Sequence, residues 1–122
     1  MKFAKWEFLV SGIYGLAALL PQYFLEQKIG HDYPPAITHP EYFYGFIGIG
    51  VAWQVAFLVI GRDPIGHRLF MLPAVIEKAT FGFAVIALYA QQRVSTSLLA
   101  LGCLDLVLGA LFAVSYWKTG RR

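Results

Sequence analysis

The run LLALGCLDLVLGALFAVSYW, residues 98–117, decides the fold, because it contains only one charged residue, Asp105. About 20 apolar residues, rising 1.5 Å each, are enough for an α-helix to cross the ~30 Å hydrocarbon core of a bilayer. In lipid the backbone must satisfy its own hydrogen bonds, which favours a helix for such a segment. This run therefore predicts a transmembrane helix.

Three further apolar runs precede this one, at residues 8–25, 42–60 and 69–90. Each has the length of a membrane-spanning helix, and polar stretches separate them. The first run continues past Gly15-Leu16-Ala17, which resembles a signal-peptide cleavage site, and we expect it to be retained as a helix. The sequence thus predicts an all-α protein: one domain over residues 1–122, a bundle of four transmembrane helices.

Composition agrees with a membrane protein, since 58% of the residues are hydrophobic and only 14% are charged. A soluble domain of 122 residues could not bury that much apolar surface. The net charge of +3 does not indicate nucleic-acid binding, because the basic residues lie at the ends of apolar runs instead of forming a stripe. Cys103 is the only cysteine, which excludes an intramolecular disulfide.

The lysines and arginines predict an orientation. Only Lys28 and Arg93 fall on one side of the four runs. Seven fall on the other: Lys2, Lys5, Arg62, Arg68, Lys118, Arg121 and Arg122. Because positive charge is enriched on the cytoplasmic side, we predict that both termini are cytoplasmic, in a bacterial inner membrane.

Prolines and small residues predict local features. Asp63-Pro64 is typical of a helix N-cap followed by proline. Pro21 and Pro73 are expected to bend or kink their helices. Small residues at helical spacing predict where helices meet in lipid. These are Gly12 and Gly15 on the first helix, Gly45, Gly48, Ala52 and Ala56 on the second, and Gly102, Gly109 and Ala113 on the fourth.

A few polar side chains lie deep within the runs: Gln54, Glu77, Lys78 and Asp105. A charge near the middle of a span costs about 2.5–3.5 kcal/mol, so such residues usually face the bundle interior. They could form a network that fixes helix register, or an interface with a partner subunit. Alternatively they line a ligand cavity, with Trp53 and Phe81 as its walls.

The segment 26–41 is the longest connection and contains His31, Asp32, His39 and Glu41. No short metal-ligand spacing is present, and its prolines limit convergence of these side chains. We predict an ordinary loop, with a proline-stiffened lid over the outer mouth of the bundle as the alternative, and no metal site and no cofactor.

The pattern Arg62-Asp63-Pro64, Arg68, Met71, Pro73-Ala74, Glu77-Lys78 resembles small bacterial four-span proteins of the DoxX-like kind. This resemblance implies a membrane bundle, in some cases associated with redox complexes. Glu77, Asp105 and Trp53 are also similar in type, without a positional match, to the pocket residues of sterol-isomerase-like (EXPERA) proteins. Small multidrug transporters differ, since here the first run has no deep acid.

We predict that the protein binds an apolar small molecule or a membrane lipid in an intramembrane cavity. The predicted ligand-binding residues are Trp53, Gln54, Glu77, Lys78, Phe81 and Asp105. Two alternatives remain open: an isomerase-type membrane enzyme that uses the paired carboxylates, or a non-catalytic subunit with a membrane-protein partner or a second copy of the chain. Nucleic acid is not an expected partner.

Overall fold

A computed structural model describes residues 2–120, of which the great majority are helical, with no strand among them. The α-helices in this part of the chain are α1 (Lys2–Leu19), α2 (Glu26–Asp32), α3 (Pro40–Arg62), α4 (Met71–Ala90) and α5 (Thr96–Thr119). Two 3-10 helices, Leu20–Phe24 and Arg68–Phe70, extend α1 and precede α4. Arg121 and Arg122, which contribute to the predicted charge asymmetry, lie outside the described residues.

Within residues 2–120, four helical segments are long and apolar enough to cross a membrane: Lys2–Phe24, Pro40–Arg62, Arg68–Ala90 and Thr96–Thr119. They contain the four predicted runs almost completely and extend beyond most of their ends. Large apolar side chains cover the outside of the bundle, as Phe24 at 88% and Leu69 at 71% exposure illustrate. A soluble protein rarely exposes so much apolar surface. The predicted all-α class is confirmed, and four of its helices are long and apolar enough to span a membrane, as in an integral membrane protein.

The prolines act differently from one another. After Leu19 the α-helix tightens to a 3-10 helix that contains Pro21 near its start, as expected of a residue that breaks the α-helical hydrogen-bond ladder. Pro73 is the third residue of α4, where its missing N–H is one of the donors left free in any first helical turn. The predicted kink at Pro73 is therefore replaced by a helix start.

Asp63 has the hydrogen bond of an N-cap, but it caps a single turn that precedes α4 and not α4 itself. Its carboxylate accepts a hydrogen bond from the backbone N–H of Gly66 (3.1 Å), and its backbone carbonyl accepts one from His67 (2.9 Å). Phe70 precedes α4 without a side-chain cap. Asp63-Pro64 is also a common turn sequence, because an Asp side chain can bond to a following backbone N–H.

The connection 26–41, predicted as a loop, begins with the short helix α2. Lys28 donates a hydrogen bond to Asp32 (2.8 Å) one turn later on this exposed helix. That bond lowers the pKa of the Asp32 carboxyl and raises the pKa of Lys28. Such an i, i+4 pair supports a short helix in water, and the spacing was readable from the sequence.

The spanning helices form two antiparallel pairs, α1 with α3 and α4 with α5, which are joined through α1 and α5. The fourth side of the bundle is loose, because α3 and α4 contact each other little. The predicted glycine contacts hold on two helices: Gly12 of α1 lies against α3, and Gly102 of α5 lies against Val85 of α4. On α3 the result is mixed, because Gly45 has nothing within 4 Å whereas a methyl group at Gly48 would lie 3.5 Å from the hydroxyl of Tyr23 in the first span.

The packed core lies at the end of the bundle where α1 begins and α5 ends, which we call the terminal end. Its buried side chains come from all four spanning helices: Ala4, Phe8, Phe57, Ile60, Met71, Ala74 and Phe112. Phe8 stacks on Phe112 with ring centroids 4.1 Å apart. At the same end Arg68 donates to the backbone carbonyl of Tyr116 (2.8 Å) and covers its ring. In the opposite half of the bundle the two helix pairs separate from each other, while α1–α3 and α4–α5 stay in contact.

Candidate functional site

A cavity of about 780 Å³ lies between the four spanning helices, beyond the packed core. Its volume falls in the range of about 300–1,000 Å³ that is usual for small-molecule pockets. Residues of α1, α3, α4 and α5 all contribute to its wall. The cavity exists because α3 and α4 diverge on the loose side of the bundle.

The structure brings every residue of the predicted site into the wall of this one cavity. They are Trp53 and Gln54 from α3, Glu77, Lys78 and Phe81 from α4, and Asp105 from α5. Of the three interpretations of the deep polar residues, a cavity is therefore the geometry observed. Lys78 also forms ion pairs with Glu77 and Asp105, so a contribution to helix register is compatible with a cavity.

Lys78 is the centre of the charged cluster. Its side chain is only 4% exposed, and its Nζ lies 3.6 Å from Asp105 Oδ1 and 4.0 Å from Glu77 Oε2. The ring of Phe57, part of the packed core, lies 5.2 Å from the same Nζ. The ammonium group thus lies where the core ends and the cavity begins, with one carboxylate from α4 and one from α5 beside it.

Gln54 is a buried amide on the other wall, with 2% of its surface exposed. Its Nε2 donates to the carbonyl of Gly50 (2.9 Å), one turn earlier on α3. The side-chain carbonyl Oε1 has no hydrogen-bond partner. Gly15 of α1 leaves the room for this amide, since a methyl group there would collide with it. A buried acceptor without a donor is costly, and this oxygen packs against Gly15 of α1 with almost no accessible surface.

Aromatic and aliphatic side chains form the remaining walls. Phe46 of α3 and Phe81 of α4 approach each other across the loose side, with centroids 6.3 Å apart. Ile49 and Ile76, which also line the cavity, are exposed at 66% and 61%. The gap between α3 and α4 consequently opens the cavity sideways, toward the hydrocarbon of a surrounding bilayer.

Sequence analysis missed the contribution of α1. Gly15 and Ala18 line the cavity without a polar group that would single them out in an apolar run, whereas Tyr14 of α1 and Gln22 just beyond it also line the cavity and do carry one. The small-residue spacing on α1 indicated a packing face only. Which part of that face meets α3 and which part faces open space depends on how far the two helix pairs diverge.

No group of three or more His, Cys, Asp and Glu side chains within residues 2–120 could hold a metal ion. The histidines of the connection are exposed, and His31 and His39 each lie beside a single carboxylate, of Asp32 and Glu41 respectively.

Comparison of the chain with protein-family models, with curated proteins and with solved structures finds no match. The resemblance to DoxX-like proteins therefore stays a prediction.

Proposed function

We propose that this integral membrane protein binds an apolar small molecule or a membrane lipid in the cavity between its helices. The observation that carries the proposal is the combination of a lateral opening between α3 and α4 with a polar cluster at the cavity's inner end. Apolar ligands enter from the bilayer, and a few placed polar groups orient them. We further propose that the termini are cytoplasmic and that the membrane is the bacterial inner membrane.

Native mass spectrometry of the detergent-solubilised protein tests ligand binding. Ala18 and Ala17 are neighbours on α1 and both are exposed, but only Ala18 lines the cavity. The wild type and Ala17→Phe should retain a copurified apolar molecule, and Ala18→Phe should lose it. The same adduct in all three proteins, or none in the wild type, would contradict the proposal.

An isomerase-type enzyme is the second candidate, favoured by the two carboxylates on either side of Lys78. Such a pair suits proton removal and return on an apolar substrate. A catalysed proton shift would incorporate deuterium into the bound molecule in deuterium oxide. Wild type should then show a mass increase in the extracted ligand that Glu77→Gln does not. A ligand mass unchanged by the solvent favours simple binding.

A non-catalytic subunit is the third alternative, and the cavity gives it less support than a solid core would. A stoichiometric protein partner copurifying with the chain would favour it.

A further inference from the structure

A shallow groove lies on the outer face of α1 at the terminal end, separate from the cavity between the helices. It is lined by Lys2, Phe3, Trp6, Glu7 and Val10, and we call it the α1 groove. Lys2, Trp6 and Val10 are all exposed and lie about one turn apart along the same face of the helix. The groove therefore has a cation at its end and apolar side chains along its length.

Two ammonium groups lie beside the aromatic rings of the α1 groove. Lys5 Nζ is 5.7 Å from the centre of the Trp6 ring, and Lys118 Nζ is 4.5 Å from the centre of the Phe3 ring. Lys118 belongs to the last turn of α5, so the packing of α5 beside α1 brings it to this groove. Together with Lys2, three lysines from two helices lie at one groove.

These lysines have no carboxylate partner. Every ion pair within residues 2–120 lies elsewhere, in α2, at the start of α3 or in the cavity wall. The acid of the groove, Glu7, lies more than one turn beyond Lys2 along α1 and accepts a hydrogen bond from Ser11 (3.2 Å). Lys2, Lys5 and Lys118 therefore outnumber Glu7 and leave the groove with a positive charge.

The two ends of the bundle differ in the sign of their charge. Within residues 2–120, lysine and arginine outnumber acids at the terminal end, whereas acids outnumber them at the opposite end. The first set is Lys2, Lys5, Arg62, Arg68, Lys118, Glu7 and Asp63, and the second is Lys28, Arg93, Glu26, Asp32 and Glu41. Because the ends of a spanning helix lie at the level of the lipid headgroups, the α1 groove meets that layer with a positive charge.

We propose that the α1 groove binds an anionic phospholipid. Lys2 and Lys118 bind its phosphate, and one acyl chain lies along Trp6, Val10 and the next exposed residue of this face, Ile13. Basic side chains at a membrane surface attract anionic lipid, and tryptophan favours the same interfacial level. A zwitterionic lipid would bring its own cation among the lysines, and a free phosphate would leave the apolar part of the groove empty. This lipid lies on the surface of the bundle and is not the ligand proposed for the cavity.

Competition between two lipids with the same acyl chains tests the proposal. The full chain in detergent at low ionic strength is titrated with equal amounts of phosphatidylglycerol and phosphatidylcholine, and native mass spectrometry measures how much of each is bound. The wild type should prefer phosphatidylglycerol about tenfold or more, since each lysine near the headgroup contributes about fivefold. Lys2→Gln should lower the preference about fivefold, and Lys2→Gln with Lys118→Gln should bring it close to one.

Lys28→Gln with Arg93→Gln removes the same charge from the opposite end and is the matched control, which should keep the preference. Ala18→Phe, which fills the cavity, should keep it too. Equal binding of the two lipids by the wild type would overturn the proposal. The same loss in both double variants would show a general charge effect, and loss in Ala18→Phe would place the lipid in the cavity, so either result would overturn it. Displacement of the lipid by an equal concentration of glycerol phosphate would show a site for a soluble anion instead.

Discussion

Lys78 of α4 and Asp105 of α5 form an ion pair across the most closely packed pair of helices, with Nζ and Oδ1 3.6 Å apart. Gly109, one turn beyond Asp105, makes the approach possible. A methyl group there would come within 3.1 Å of Lys78 Cβ. The glycine spacing on α5 and the position of the ion pair therefore have one physical cause, which is the close contact between α4 and α5.

Lys78→Met should destabilise the bundle by about 3 kcal/mol, because it leaves two carboxylates without a cation in a low-dielectric setting. Adding Asp105→Asn should recover part of the loss, since the double variant again carries a single excess charge. Unfolding by sodium dodecyl sulfate in mixed micelles measures both. A double variant less stable than Lys78→Met alone would show that the pair is not coupled as described.

Asp105→Asn alone should fold and keep the cavity, since the amide has nearly the same shape as the carboxylate. If Asp105 orients the ligand through Lys78, binding of the copurified molecule should be lost. Equal ligand binding by Asp105→Asn and wild type, compared by native mass spectrometry, would remove this role.

Gly12→Ala should destabilise the protein by about 1–3 kcal/mol, because its methyl group would come within 2.8 Å of the backbone carbonyl of Gln54 and force α1 away from α3. Gly45→Ala is the control, since that position has nothing within 4 Å. It should leave stability unchanged or raise it slightly, as alanine is the better helix former. Equal effects of the two substitutions in the same unfolding assay would contradict the close α1–α3 contact.

Arg68→Lys should lower stability by about 1–2 kcal/mol. The guanidinium group donates to the Tyr116 carbonyl and lies 3.7 Å above the ring, a planar arrangement that lysine cannot reproduce. Arg62→Lys, at the exposed end of α3, is the matched change and should be neutral. Neutral behaviour of Arg68→Lys would show that this contact does not help to join α4 to α5 at the terminal end.

Single cysteines test the proposed orientation in a Cys103→Ser background. His31→Cys lies on α2 and Arg62→Cys at the terminal end of α3, and both positions are exposed. With cytoplasmic termini, a membrane-impermeant maleimide should label His31→Cys in intact spheroplasts and Arg62→Cys only after permeabilisation. The reverse pattern would invert the topology.

The sequence was sufficient to predict the spanning helices, because length and hydrophobicity are local properties that each apolar run has on its own. It was also sufficient to select the polar site residues, since Gln54, Glu77, Lys78 and Asp105 are costly in lipid wherever they lie. It did not predict that Ala18, Ile49 and Ile76 line the cavity, because nothing in the sequence distinguishes one apolar side chain of an apolar run from another. Their position depends on the divergence of α3 and α4, which is a property of the assembled bundle.

Trp53 tests the central claim most directly, that a cavity deep in the membrane opens sideways to hydrocarbon. It lies nine residues before Arg62 on α3, or about 14 Å along the helix. In a variant that carries Trp6→Phe and Trp117→Phe, Trp53 is the only remaining tryptophan of the sequence. Lipids brominated near the ends of their acyl chains should quench the fluorescence of Trp53 strongly, and aqueous acrylamide should quench it little. Strong quenching by acrylamide with none by the brominated lipids would contradict the account.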